Sequence, residues 1–171
     1  DTTDRDLDAI GAFTRRDFAM IAGSLGLVTA FPANAASRKV IERDVLVPTP
    51  DGKADCYFVA PAKGKHAAVI VWTDVYGLRP AFRQMGKRLA EAGFAVLVMN
   101  PFYRSAKAPI IAPNDPRNEE TRKVIAPMRA LLTPDAITRD AKAFVAFPDT
   151  QKRVSKKRQS GTIGYCMGGP L

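Results

Sequence analysis

The sequence predicts a three-layer α/β domain built on a mostly parallel sheet, and three observations predict it. Two continuous apolar runs, Ala67–Trp72 and Phe94–Met99, have the composition of strands buried on both faces. The stretch between them opens at Pro80 and stops at Gly93, with Phe82, Met85, Leu89 and Ala92 recurring at helical intervals of three or four. Strand, helix and strand in that order form a right-handed βαβ unit. A third short run, Thr162–Tyr165, leads directly into a glycine-framed turn, Gly164-Tyr165-Cys166-Met167-Gly168-Gly169.

The remaining elements follow in chain order. Residues 39–59 read as two strands joined at Pro48-Thr49-Pro50-Asp51-Gly52, because proline presets φ and glycine tolerates positive φ, so a hairpin is expected at a sheet edge. The strand Phe94–Met99 ends at Asn100-Pro101, and a polar, proline-rich segment continues to about residue 120. Helices are predicted near 120–132 and over 134–147, the second opened by Thr133 as cap and Pro134 at the first helical position. No internal repeat or low-complexity tract interrupts this order, which points to a single sheet with helices on its faces.

The chain has 171 residues, of which 46% are apolar, enough for one domain with a real core. Its 26 basic and 17 acidic residues leave a net charge of +9. Only Lys152–Arg158 is densely basic, and it reads as a solvated loop before a strand; nucleic-acid binding would need a recognition motif, which is missing. There is no Cys/His cluster with zinc spacing and no phosphate-binding glycine loop, so neither a metal nor a cofactor is expected.

At the N-terminus, Arg15-Arg16 precedes the uncharged stretch Ala19–Phe31, and Ala33-Asn34-Ala35 supplies a small-x-small cleavage pattern. The apolar stretch is too short for a span of about 20 residues, so no stable membrane span is expected. The pattern resembles a twin-arginine signal over residues 1–35, which implies the twin-arginine export machinery as a partner and a periplasmic or secreted product beginning at Ala36. An ordinary amphiphilic N-terminal helix is the plainer reading of the same residues.

The glycine-framed turn carries the chemistry. A strand that turns sharply at Gly-x-Cys-x-Gly projects the central side chain above the sheet, and the flanking positions must be small because the chain folds back on the strand. Cys166 is therefore the candidate nucleophile, and a helix beginning behind it would favour its reactive thiolate. The backbone N–H of Met167 would face the oxyanion formed on attack, and a second N–H is expected from the loop Thr73-Asp74-Val75-Tyr76-Gly77, with Val75 as the donor. Asp74 is a candidate to orient the thiol, or else an exposed loop aspartate. Two alternatives stand beside the nucleophile: a Cys56–Cys166 disulfide, which the periplasm would permit, and an inert buried thiol.

The elbow motif, the Asp74-Val75-Tyr76-Gly77 loop and Asn100-Pro101-Phe102-Tyr103-Arg104 together resemble the dienelactone hydrolase (carboxymethylenebutenolidase) family, from about residue 40 onward. The resemblance implies an α/β-hydrolase fold and hydrolysis of a lactone or related ester through a cysteine acyl intermediate. It also implies arginine recognition of a substrate carboxylate, for which Arg104 and Arg117 are the candidates. In the family the triad aspartate and histidine follow the nucleophile, whereas only Pro170 and Leu171 follow Gly169 here. The expectation is an N-terminal part of the fold, 36–171, truncated after the elbow and inactive by itself. The single histidine, His66, precedes the first parallel strand and belongs at the opposite edge of the sheet. A noncatalytic exported remnant or an anion-binding domain is the competing reading.

Overall fold

The computed structural model describes residues 37–112 and 118–171, so the export signal expected over 1–35 and the candidate Arg117 lie outside the described residues. Strands β1 (Val40–Thr49) and β2 (Gly52–Pro61) form an antiparallel hairpin closed by Pro50 and Asp51, with Thr49 paired to Gly52. Position in the sheet then decides their burial. β1 is mostly exposed at the sheet edge, while Cys56–Pro61 of β2 are buried between β1 and an inner strand.

Strands β3 (Ala68–Trp72) and β4 (Ala95–Met99) pair in parallel, and helix α1 (Pro80–Ala92) connects them. Pro80 occupies the first turn, and Gly93 stops the helix in the left-handed conformation at φ 117°. The buried face of α1 is centred on Phe82, Gly86 and Ala90, with Met85 and Leu89 at its margin and Ala92 exposed. Gly86 shifts that face: a Cβ there would come within 2.8 Å of Val98 Cγ2, so its absence lets the helix approach the sheet.

Helices α2 (Glu119–Ala130) and α3 (Pro134–Asp149) follow. Asn118 caps α2 by accepting the Thr121 N–H at 3.1 Å, and Thr133 caps α3 by accepting the Ala136 N–H at 3.3 Å. Strand β5 (Gly161–Gly164) pairs in parallel with β3 and forms the second edge.

The strand order is β1-β2-β4-β3-β5. Two of the four pairings are antiparallel and two parallel, so the sheet is mixed rather than mostly parallel. The hairpin is responsible: it lies at the sheet edge, as expected, and β2 joins β4 antiparallel. Alternating residues separate two cores. Cys56, Phe58, Ile70, Trp72, Leu97 and Met99 face Phe144 of α3, whereas Tyr57, Val59, Val71, Val96 and Val98 face Phe82 and Ala90 of α1. The Trp72 and Phe144 rings meet edge to face, with centroids 5.8 Å apart. This is the expected helix-sheet-helix layering. The parallel strands β3, β4 and β5 all end on one side, and there the loops after Trp72 and Met99 and the turn at Cys166 emerge. Among the described residues no helix is long and apolar enough to cross a membrane.

Candidate active site

The elbow is built on the end of β3. Tyr165 N–H donates to the Trp72 carbonyl at 3.2 Å, which holds the chain in register one residue before Cys166. Cys166 then adopts φ 52°, and among the described residues it alone is a non-glycine residue with positive φ. A β-carbon in that region crowds the backbone and costs about 1–2 kcal/mol, so the position is strained. The chain closes through Gly168 N–H to Tyr165 O at 2.9 Å and Gly169 N–H to Cys166 O at 3.0 Å.

The flanking glycines are required by contact. A Cβ on Gly164 would run into the Gly168 carbonyl, and one on Gly168 would lie 2.6 Å from both the Trp72 and the Thr73 carbonyl oxygens. Gly169 is less constrained, its nearest contact being Cys166 O at 3.2 Å. The turn leaves Cys166 exposed. Behind it lies a three-residue 3-10 turn, Cys166–Gly168.

The two cysteines are free thiols with opposite environments. Cys56 lies on β2, three strand spacings or about 14 Å from β5, beyond the roughly 7 Å between Cα atoms that a disulfide can span. Burial pushes the Cys56 thiol far above its ordinary pKa, which makes it the inert member of the pair.

The loop after β3 is a tight turn closed by Gly77 N–H to Asp74 O at 2.9 Å. Neither the Val75 nor the Met167 N–H has a hydrogen-bond partner among the described residues. Asp74 has a different partner from the one the sequence suggested: Arg79 grips both its oxygens, Nη1 on Oδ1 at 2.6 Å and Nη2 on Oδ2 at 2.8 Å. Oδ1 also accepts the Tyr76 N–H at 2.9 Å.

The candidate Arg104 is committed elsewhere. Its guanidinium bonds to Asp140 at 2.8 Å through both terminal nitrogens and to Asp51 at 2.6 and 3.0 Å, tying the β1–β2 turn to α3. Four hydrogen bonds from its guanidinium go to these carboxylates, so in this structure Arg104 cross-links the hairpin turn to α3. His66 N–H bonds to Arg153 O before β3 begins, and its ring Nε2 lies 2.8 Å from Lys63 O, at the strand-start edge opposite Cys166.

The arginines that reach the loop are ones the sequence reading passed over. A cavity of about 570 Å³ is walled by Val75, Tyr76 and one face of α2: Arg122, Ile125, Ala126, Arg129 and Ala130. Among the described residues Arg122 is held by a 3.8 Å contact with Glu119, both side chains being 70% exposed. The signal was present in the spacing, since residues 122, 125, 126 and 129 recur at helical intervals and share a face. Among the described residues no group of three or more His, Cys, Asp or Glu side chains is arranged to hold a metal ion.

Comparison with known proteins places this geometry. A carboxymethylenebutenolidase of Pseudomonas sp. (strain P51) is 26% identical over 120 residues, 70% of this chain and 48% of the relative. A solved structure from Klebsiella pneumoniae assigned to the dienelactone hydrolases superposes with a TM-score of 0.62 at 18% identity, over 77% of this chain and 52% of that one. A dienelactone hydrolase from Anabaena variabilis superposes with a TM-score of 0.53 at 16% identity, over 77% and 55%. These likenesses show the α/β-hydrolase fold, and the chain spans about half the length of the relatives it matches. The model of the dienelactone hydrolase family matches residues 54–171, from the interior of β2 through the elbow, and on that match the chain belongs to this family of hydrolases.

Proposed function

We propose that this chain carries the nucleophile and oxyanion-binding half of a hydrolase acting on a lactone or related carboxylic ester. The observation that carries the reading is Cys166, an exposed cysteine at φ 52° between glycines that contact forces to be glycine. Backbone strain held at one reactive, accessible side chain is a mark of a functional position. In the reaction, the Cys166 thiolate attacks the ester carbonyl carbon, forming an S–C bond. The carbonyl oxygen takes up the negative charge and receives hydrogen bonds from the Met167 and Val75 N–H groups. Collapse of that intermediate breaks the C–O bond and leaves a thioester, and the alkoxide departs and takes a proton from solvent water. Water then hydrolyses the thioester and returns the thiol.

The last step needs a base. The chain's one histidine sits at the far edge of the sheet, and this supports a chain that is acylated once but does not turn over. The cavity beside Val75 suits the rest of the substrate, and Arg122 and Arg129 in its lining would supply the positive charge that a substrate carboxylate needs. The same arginines favour the second reading, a noncatalytic anion-binding domain. We further propose that residues 1–35 direct twin-arginine export to the periplasm, tested by fusing them to a reporter and replacing Arg15 and Arg16 with lysine.

The central test is p-nitrophenyl acetate. The expected result is one equivalent of p-nitrophenolate, a 42 Da acetyl adduct (~42, one acetyl for one proton) on the Cys166 peptide, and no adduct in Cys166→Ala. Acetylation undiminished in Cys166→Ala would overturn the assignment and leave the anion-binding reading.

A further inference from the structure

Arg79 occupies a position that normally holds a small capping residue. It is the N-cap of α1, with extended backbone at φ −149° and ψ 174°, yet its side chain makes no cap hydrogen bond. The guanidinium turns back instead onto the loop after β3. It holds both oxygens of Asp74 and also donates from Nη1 to Gly77 O at 3.2 Å. Its plane lies over Phe82, 4.9 Å from the ring centroid, and Phe82 in turn meets Tyr165 edge to face at 5.6 Å. Arg79 thus connects the loop carrying Val75, the start of α1 and the residue preceding Cys166.

The pair is poorly arranged as a device for stability. The two side chains are 14% and 19% exposed, and the buried Arg79 Nε has no hydrogen-bond partner among the described residues. Partly desolvated ion pairs of this kind contribute little net stability, and an orphaned donor detracts further. What the pair does is local. In the turn, Asp74 O, Tyr76 N–H, Gly77 N–H and Gly77 O are all engaged, while the Val75 N–H, like that of Asp74, has no hydrogen-bond partner among the described residues.

We propose that Arg79 is a positioning residue: it neutralises Asp74 and fixes the turn, so that the Val75 N–H meets the developing oxyanion without a bare carboxylate beside it. This rests on the reading of Cys166 as nucleophile and Val75 as oxyanion donor. A unit negative charge one residue from that donor opposes a second negative charge forming there, and at an effective dielectric of about 20 the repulsion across several ångströms slows attack by about tenfold or more.

The test compares two reactions of Cys166 in the 171-residue chain, above the pH at which the thiol has ionised. Acetylation by p-nitrophenyl acetate forms an oxyanion. Alkylation by iodoacetamide forms an S–C bond and expels iodide without one, so the ratio of the two rates isolates oxyanion stabilisation from thiol access and ionisation. Arg79→Met is expected to lower the ratio about tenfold. Arg79→Lys, which keeps the charge, should restore most of it, and so should Arg79→Met combined with Asp74→Asn. An unchanged ratio in Arg79→Met, an equal loss in both reactions, or a double variant as slow as Arg79→Met would each overturn the proposal. If Arg79→Met does not fold, Asp74→Asn in the wild-type background carries the test: a ratio at or above wild type supports neutralisation, and a tenfold fall refutes it. Acetylation surviving in Cys166→Ala is a different failure, that of the nucleophile assignment.

Discussion

Replacing Cys166 by glycine and by alanine gives two proteins that differ by one β-carbon at φ 52°. At an ordinary backbone position glycine is the less stable of the two by roughly 0.5–1 kcal/mol, because it loses more freedom on folding. In the left-handed region the β-carbon itself costs about 1–2 kcal/mol, which outweighs that entropy. Cys166 is exposed, so removing its side chain sacrifices little packing. The difference favours Cys166→Gly over Cys166→Ala by about 0–1.5 kcal/mol, up to a few degrees in melting temperature for a domain of this size. Urea denaturation followed by circular dichroism measures the difference directly, with the wild type near Cys166→Ala because both carry the β-carbon. The sign is the diagnostic. Alanine more stable than glycine would mean that the elbow is not strained at Cys166, and strain would then not mark Cys166 as a functional position.

The glycine contacts predict an order among neighbours: Gly168→Ala, whose Cβ would meet two carbonyl oxygens at 2.6 Å, should destabilise by about 1–3 kcal/mol, and Gly169→Ala, at 3.2 Å from one, by less than either bound, as read from denaturation midpoints. Asp51 and Glu42 have pKa values lowered by hydrogen bonds, from Arg139 and then Arg104 to Asp51, and from Lys87 and then Tyr57 to Glu42. Their stabilisation is complete above the unfolded values of about 4 and is lost as pH falls through the lower folded values; Asp51→Asn should flatten the acid limb of stability against pH, and an unchanged limb would refute the coupling. Strand β5 is an exposed edge with Ile163 37% exposed, so Ile163→Lys should reduce self-association in light scattering without lowering the melting temperature.

How far these features were legible in the residues depends on whether their cause is local. The runs Ala67–Trp72 and Phe94–Met99 declare buried strands because every position is apolar, and Thr133-Pro134 declares a helix start by its own chemistry. The pairing of β2 with β4 is not local. Nothing in Cys56–Val59 says which neighbour it will take, and the sheet is mixed for that reason. Gly86 carries no apolar signal, yet its lack of a side chain sets the approach of α1 to Val98. At the site, the glycine frame announced the elbow, whereas the fates of Arg104 and Asp74 depended on which opposite charge the fold brought near. Asp140 lies 36 residues from Arg104 in sequence, and no spacing rule links them. The Asp74–Arg79 pair, five residues apart, falls within reach of sequence reasoning, but only once the Arg79 side chain is recognised as free from capping α1.

The two halves of the site share one ruler, the end of β3. The Trp72 carbonyl accepts Tyr165 N–H, and with the Thr73 carbonyl it forms the surface against which Gly168 closes. The loop that presents Val75 leaves the same strand directly after Thr73. Both the Cys166 turn and the Val75 loop are thus anchored to the β3 terminus. The second tie, Arg79 to Phe82 to Tyr165, joins the same two pieces across the α1 face, so a change in one would be felt at the other through packing as well as through the strand. Acyl transfer asks for precise placement of an attacking sulfur against a hydrogen-bond donor, and under the proposed function that demand would fall on a strand end, two obligatory glycines and one diverted arginine.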